Sequence, residues 1–364
     1  TAPWWPRAHY REQSAVPVIV YLSLALGVSH CSFESDPIDH FSTSVKGLFS
    51  AEFSKHGEHA AIGSMQHGGS LWETLSSERL YNWNHTTSGK SQITAIAFSP
   101  EGNYAATADL ATIVLWDVSS GNSLRFFTAP SAVHKLALGP NGDTALLALA
   151  GGRSILFDIQ KGGVIHELTQ EENILSMAMS ANGDFAVFGI DNDSINYWNL
   201  KSATLLANIE MAGRVNTIAI SNDGKLGFTA VQHIDGLVWD LDQSKVIARL
   251  RYSSRFFPTS SSFLTGKFSD DSQSLLTGNT TGAVELWETS SGKRLKRWLT
   301  PISYGIGPKV YSIVAVAHLL NFNQVIAMNS QGAPSEADAS SIEGSICCNI
   351  EMPERCPAGL DLMM

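Results

Sequence analysis

The stretch ITAIAFSPEGNYAATADLATIVLWDVSSGNSLRFF, residues 93–127, decides the fold. It contains four short strand-like runs, ITAIAFS, YAATA, IVLWDV and LRFF, separated by polar turns. Gly102 stands in the turn SPEGN, where a tight hairpin needs a positive φ that a side chain penalises. The inner runs are apolar at nearly every position instead of alternating, which predicts a sheet covered on both faces.

Working outward, the same pattern recurs with a period near 41 residues, the length of one four-stranded blade. Aromatic residues followed by an acid or its amide, Trp72-Glu73, Trp116-Asp117, Phe157-Asp158, Trp198-Asn199, Trp239-Asp240 and Trp287-Glu288, lie 44, 41, 41, 41 and 48 residues apart. An independent series of turns, SKHGE, SPEGN, GPNGD, SANGD and SNDGK, places Gly57, Gly102, Gly142, Gly183 and Gly224 at steps of 45, 40, 41 and 41. A sixth copy, SDDSQ, carries Ser272 in place of the glycine. Small residues recur in the first run of each unit, among them Ala95, Ala97, Ala137, Ala178 and Ala219, and suit the crowded taper near an axis.

This series resembles the WD-repeat family, whose repeat ends in an aliphatic residue, Trp and Asp on its third strand. The resemblance covers roughly residues 44–333 and implies an all-β WD-repeat β-propeller, seven blades with six as the alternative. Six stations are complete. A further copy begins at YSIVAVAH and QVIAMNSQG, and residues 38–46 (IDHFSTSVK) are placed to supply its outer strand, closing the ring from the N-terminal side. Its third strand has no good candidate, since GAPSEADASSIEG (332–344) is polar and turn-rich. The Gly-His pair that opens such repeats is absent, so the His, Asp, Ser and Trp hydrogen-bond tetrad of the family is not expected and rigidity is assigned to packing.

The organisation read from the sequence is a leader at 1–31, a propeller at 32–333 and a tail at 334–364 whose composition predicts disorder. In the leader, Arg7 and Arg11 precede an uncharged run of 14 residues, 15–28, which ends shortly before Cys31. That run is too short for a helix to cross a hydrocarbon core of about 30 Å. The layout resembles a bacterial lipoprotein signal, with Cys31 as the candidate for lipidation and His30 standing where a small residue is expected. Cys347, Cys348 and Cys356 lie near the other end with no zinc spacing, so the repeats contain neither disulfides nor thiolate ligands.

A net charge of −10 argues against nucleic acid as a partner, because that affinity comes from clustered cations. The densest positive group, Lys293, Arg294, Lys296 and Arg297, reads as a solvated edge. His56-Gly57-Glu58-His59 has a possible metal spacing but falls on a repeat turn, and Asp117, Asp158 and Asp240 recur once per unit, which marks them as structural. No nucleophile elbow, Walker loop or zinc-protease helix motif is present. The rival is a quinone-dependent propeller enzyme, in whose repeats Trp follows the acid and the turn; here Trp116 precedes Asp117.

No catalytic, cofactor or metal residue is therefore assigned. The expected function is a scaffold or assembly factor that binds other proteins at the bacterial cell envelope, with a membrane tether through lipidated Cys31. The alternatives are a periplasmic propeller enzyme or ligand binder, and an intracellular adaptor. The long last step places extra chain in RYSSRFFPTSSSF (251–263), where Arg251, Tyr252, Arg255, Phe256 and Phe257 are the candidate partner contacts.

Overall fold

The computed structural model describes residues 34–35, 39–44, 47–65, 67–86, 89–170, 172–232, 234–251, 261–299, 311–319, 325–331 and 344–348. Among them every regular element is a β-strand. Six blades are each cut from one continuous stretch, 48–82, 93–128, 133–169, 174–210, 215–250 and 263–299. Within a blade four antiparallel strands follow one another outward. Blade 2 runs Ile93–Phe98, Tyr104–Asp109, Thr112–Asp117, Ser123–Thr128.

The turn between the first two strands explains the glycine series. In all six copies the fourth turn residue donates its backbone N–H to the carbonyl of the first, as Gly102 does to Ser99 at 2.8 Å and Ser272 to Ser269 at 2.8 Å. Serine at the first position then accepts a second bond, from the backbone N–H that starts the next strand. Tyr104 donates to Ser99 Oγ at 3.1 Å, Leu226 to Ser221 Oγ at 2.9 Å and Ser274 to Ser269 Oγ at 3.0 Å. The fourth residue is left-handed throughout, and Ser272 holds a φ of 57° although it has a side chain. The acid after the recurring aromatic residue does similar work one turn later: Asp117 Oδ1 accepts from the Ser120 N–H at 2.8 Å, Asp158 from Lys161 at 2.8 Å and Asp240 from Gln243 at 2.9 Å. Hydrogen bonds from Ser119 and Ser120 hold the Asp117 carboxyl below the ordinary range.

Burial follows the strand's place in the blade. The second strand is the one covered on both faces: Thr144–Leu149, Phe185–Ile190 and Leu226–Val231 are buried at every position but the first. The innermost strand instead alternates, buried at Ile93, Ala95 and Ala97 and half-open between them, because one of its faces borders the channel. The uniform apolarity expected of the innermost strand is thus corrected to the second strand. Each innermost strand opens with a bulge at the same register, Ile93/Ala95 in blade 2 and Val215/Thr217 in blade 5, which increases the local twist.

Between neighbouring sheets lie apolar layers. Leu71 and Trp83 of the first blade and its exit meet Val114 and Trp116 of the second, with Trp83 stacked on Trp116 at 5.4 Å. Polar latches reinforce them. Ser50 Oγ donates to the Ile93 carbonyl at 2.7 Å, Ser176 Oγ to that of Val215 at 2.6 Å and Thr217 Oγ1 to that of Phe263 at 2.9 Å.

The count of seven like blades is corrected to six, because the ring is completed by a composite sheet rather than by another copy of the repeat. In that sheet Tyr311–His318 and Val325–Gln331 are the inner pair, Gly344–Cys348 is third and Asp39–Ser44 is outermost. The third strand is joined to the second at only two positions, Ala327 with Cys347 and Met328 with Ile346. It comes from beyond the polar stretch at 332–343, inside the region read as a disordered tail, because a five-residue strand is averaged away in a composition taken over thirty residues. Its inner pair packs like the others, with Ala315, Ala317 and Met328 against Phe53, Ala60 and Ile62 of blade 1. On the other side Ile313 and Val325 pack against Leu276, Leu286 and Trp298 of blade 6.

Replacing Ser272 by glycine should remove the cost of a left-handed side chain, about 1 to 2 kcal/mol, against an unfolded-state entropy term of about 0.5 to 1 kcal/mol. Urea unfolding of Ser272→Gly is expected to show a stability gain of about 0.5 kcal/mol. Gly224→Ala is expected to lose about 2 kcal/mol, because its Cβ would come within 2.5 Å of the Phe185 ring at a left-handed position.

Candidate functional site

The innermost strands converge on a channel, and a cavity of about 590 Å³ lies where these strands end in their turns. At one register position, opposite the middle of the second strand, blades 2 to 5 carry Ala97, Ala137, Ala178 and Ala219, and the composite sheet carries Ala317. Blade 1 carries Glu52 there and blade 6 carries Lys267, on either side of the composite sheet. His318 follows Ala317 and completes the group.

These three side chains sit deep in the wall and line the cavity. Burial raises Glu52 above the ordinary carboxylate range, and the charge of Lys267 works against that rise. Burial lowers Lys267, opposed by Glu52 and Asp270. His318 is pushed down to about 4, chiefly by burial and further by Lys267, while its ring hydrogen-bonds the Lys267 backbone carbonyl. Its Nε2 is buried and has no hydrogen-bond partner among the described residues. Around the rim the turns are tied together: Lys55 Nζ to Glu101 at 3.3 Å, Asn222 Nδ2 to Asp270 Oδ1 at 3.1 Å, and His56 Nε2 to Asp270 Oδ2 at 4.0 Å. The cavity therefore brings an acid, an amine and a neutral imidazole together inside a polar collar.

Glu52, Lys267 and His318 went unread as a site. The signal was present as an interruption, since GLFSAEF and FLTGKF place a charge where the other copies place alanine. What the sequence lacked was the closure that makes blades 1 and 6 near neighbours. Of the expected partner contacts, Arg251 is exposed and lines a second cleft beside the outer strand of blade 5. Tyr252, Arg255, Phe256, Phe257 and Cys31 lie outside the described residues, as does the leader. His56, Glu58 and His59 occupy the turn, and among the described residues no three His, Cys, Asp or Glu side chains are grouped to hold a metal. No helix among them is long and apolar enough to cross a membrane.

One blade builds part of the tetrad, without its Asp, since His85 Nδ1 has no hydrogen-bond partner among the described residues. Trp116 Nε1 donates to Thr107 Oγ1 at 2.8 Å, and His85 Nε2 lies 2.8 Å from the same hydroxyl. Here Asn84 precedes the histidine in place of glycine. Its Oδ1 accepts from the backbone N–H of Gly69 and Ser91 and so fixes the loop that aims His85. Trp239 and Trp287 make the same bond to Thr229 and Thr277, at 2.8 and 2.9 Å, with no histidine behind them.

The WD domain, G-beta repeat family matches residues 80–117, the interval that contains His85, Thr107 and Trp116. The fold is a β-propeller, and one of its repeats matches this family. A search of curated proteins finds no match to the chain. In this propeller the match falls mainly on the blade whose hydrogen-bond chain is built most fully; the others retain the strands and turns with altered polar residues.

The unfolded chain takes a proton on a free histidine below pH about 6.5, whereas His318 in the folded propeller stays neutral until about pH 4. Its contribution to stability is therefore complete above pH 6.5 and falls as pH drops towards 4, by on the order of 3 kcal/mol. Urea unfolding from pH 7 to pH 4 should show a shallower loss in His318→Gln than in the wild type, whereas parallel curves would remove His318 from this account.

Proposed function

We propose that the protein is a non-catalytic scaffold that holds other proteins together at the bacterial cell envelope. The observation that carries the scaffold reading is the closed ring itself. Every innermost strand contributes to one mouth, so the turns of all the blades are presented on a rigid frame, which favours broad contact with protein surfaces. The rim contacts among Lys55, Glu101, Asn222, Asp270 and His56 hold those turns in place. The envelope reading is supported by the leader pattern and by the position of Cys31 after its apolar run.

Crosslinking in native cells followed by identification of the captured proteins tests the scaffold reading. Specific proteins are expected on the wild type, and their capture should fall when rim charges are reversed in Lys55→Glu with Asp270→Lys. A bound cofactor absorbance in the purified protein, with no captured proteins, would replace the scaffold by a ligand-binding or enzymatic reading. Fractionation tests the location: the wild type is expected with membranes and Cys31→Ser in the soluble fraction, and a wild type confined to the cytoplasm would reject it.

A further inference from the structure

A second cleft, about 560 Å³, opens between the outer strand of blade 5 and the turn that precedes the outer strand of blade 6. Four cations line it, Arg249, Arg251, Lys293 and Arg294, and among the described residues no carboxylate does. In a chain of net charge −10 this is a strong local inversion. Arg294 is held in place, donating to buried Glu285 Oε1 at 2.7 Å and lying 5.8 Å from the Trp287 ring centroid. Arg249, Arg251 and Lys293 are exposed and make no ion pair among the described residues. The cleft is a built feature, because Gly292 packs so closely on blade 5 that a Cβ there would lie 2.5 Å from the Arg249 carbonyl oxygen.

The floor of the cleft is backbone as well as side chain. The outer strand of blade 5, Lys245–Leu250, has no second neighbour among the described strands, so one row of its N–H and C=O groups faces outward. On the next blade the chain fills the corresponding edge itself. Glu34–Ser35 pairs in parallel with Arg294–Leu299, and the register sets Glu34 opposite Arg297. An outer edge of this propeller thus accepts an added strand with an acidic residue in register with an arginine.

We propose that this cleft docks an extended acidic segment of a partner protein, added along the open edge of Lys245–Leu250 with its carboxylates on Arg249, Arg251 and Lys293. The inference rests on the scaffold reading and names the chemistry of one partner. Backbone pairing sets the orientation and the cations select acidic sequences, so binding should weaken as salt rises. Lys293 and Arg294, two members of the cluster read from the sequence as a solvated edge, are half of this site; Arg249 and Arg251 are the half that only the fold brings to them.

The test uses the full chain and a fluorescein-labelled octapeptide of alternating Glu and Val, followed by fluorescence anisotropy. Saturable binding is expected, with affinity reduced about tenfold or more in Arg249→Glu/Lys293→Glu. The same loss is expected for a peptide with alternate backbone nitrogens methylated, which keeps its charge but cannot pair as a strand. Both substituted residues are exposed, and an unchanged thermal transition will show that the variant is folded. Equal binding by wild type and variant, equal binding by an alternating Lys and Val peptide, or stronger binding of single-stranded oligothymidylate would overturn the proposal. Failure here with crosslinked partners retained in cells would remove the cleft and leave the scaffold reading standing.

Discussion

A sheet whose second strand is apolar on both faces has no stable existence alone, because each face must be covered by another sheet. Blades 2 to 5 show the constraint: Thr144–Leu149 is buried from its second position to its last, half against the blade before and half against the blade after. Covering the last face requires returning to the first, so the packing demand is met only by a closed ring. The turns, the channel and the site at its mouth all depend on that closure.

The junction is also where the repeat is least regular. Blades 1 and 6 meet the composite sheet, which draws two strands from one region, a third from beyond a polar stretch and its outer strand from residues before the repeats. Apolar packing there matches the other junctions, with Phe53 and Ile62 on one side and Trp298 on the other. The charges Glu52 and Lys267 flank the same sheet. Closure and charge thus occur together, and the most distinctive chemistry of the channel sits where the repeat departs from its own pattern.

Small polar groups set the geometry that packing then holds. Serine at the head of most of these turns and an acid or Asn after the recurring aromatic residue satisfy backbone N–H groups that would otherwise be left over at hairpins. Where the residue type changes, the geometry survives: Ser272 adopts the conformation of the glycines, and Thr107, Thr229 and Thr277 each accept the indole N–H of their blade. The family match at 80–117 follows the blade in which these choices coincide with His85.

Read alone, the residues determined the strand type, the period, the turns and the structural role of Asp117, Asp158 and Asp240, because these are local: a hairpin glycine such as Gly102, Gly142 or Gly224 and the capping acid that follows it lie 15 or 16 residues apart. They also marked the outer strand at 39–44, through its position before the first repeat. Only the tertiary structure decided which strand is doubly covered, where the third strand of the composite sheet comes from, that His85 reaches Thr107, and that Glu52, Lys267 and His318 share one cavity. Those relations join residues tens to hundreds of positions apart, and their partners become neighbours only when the ring closes.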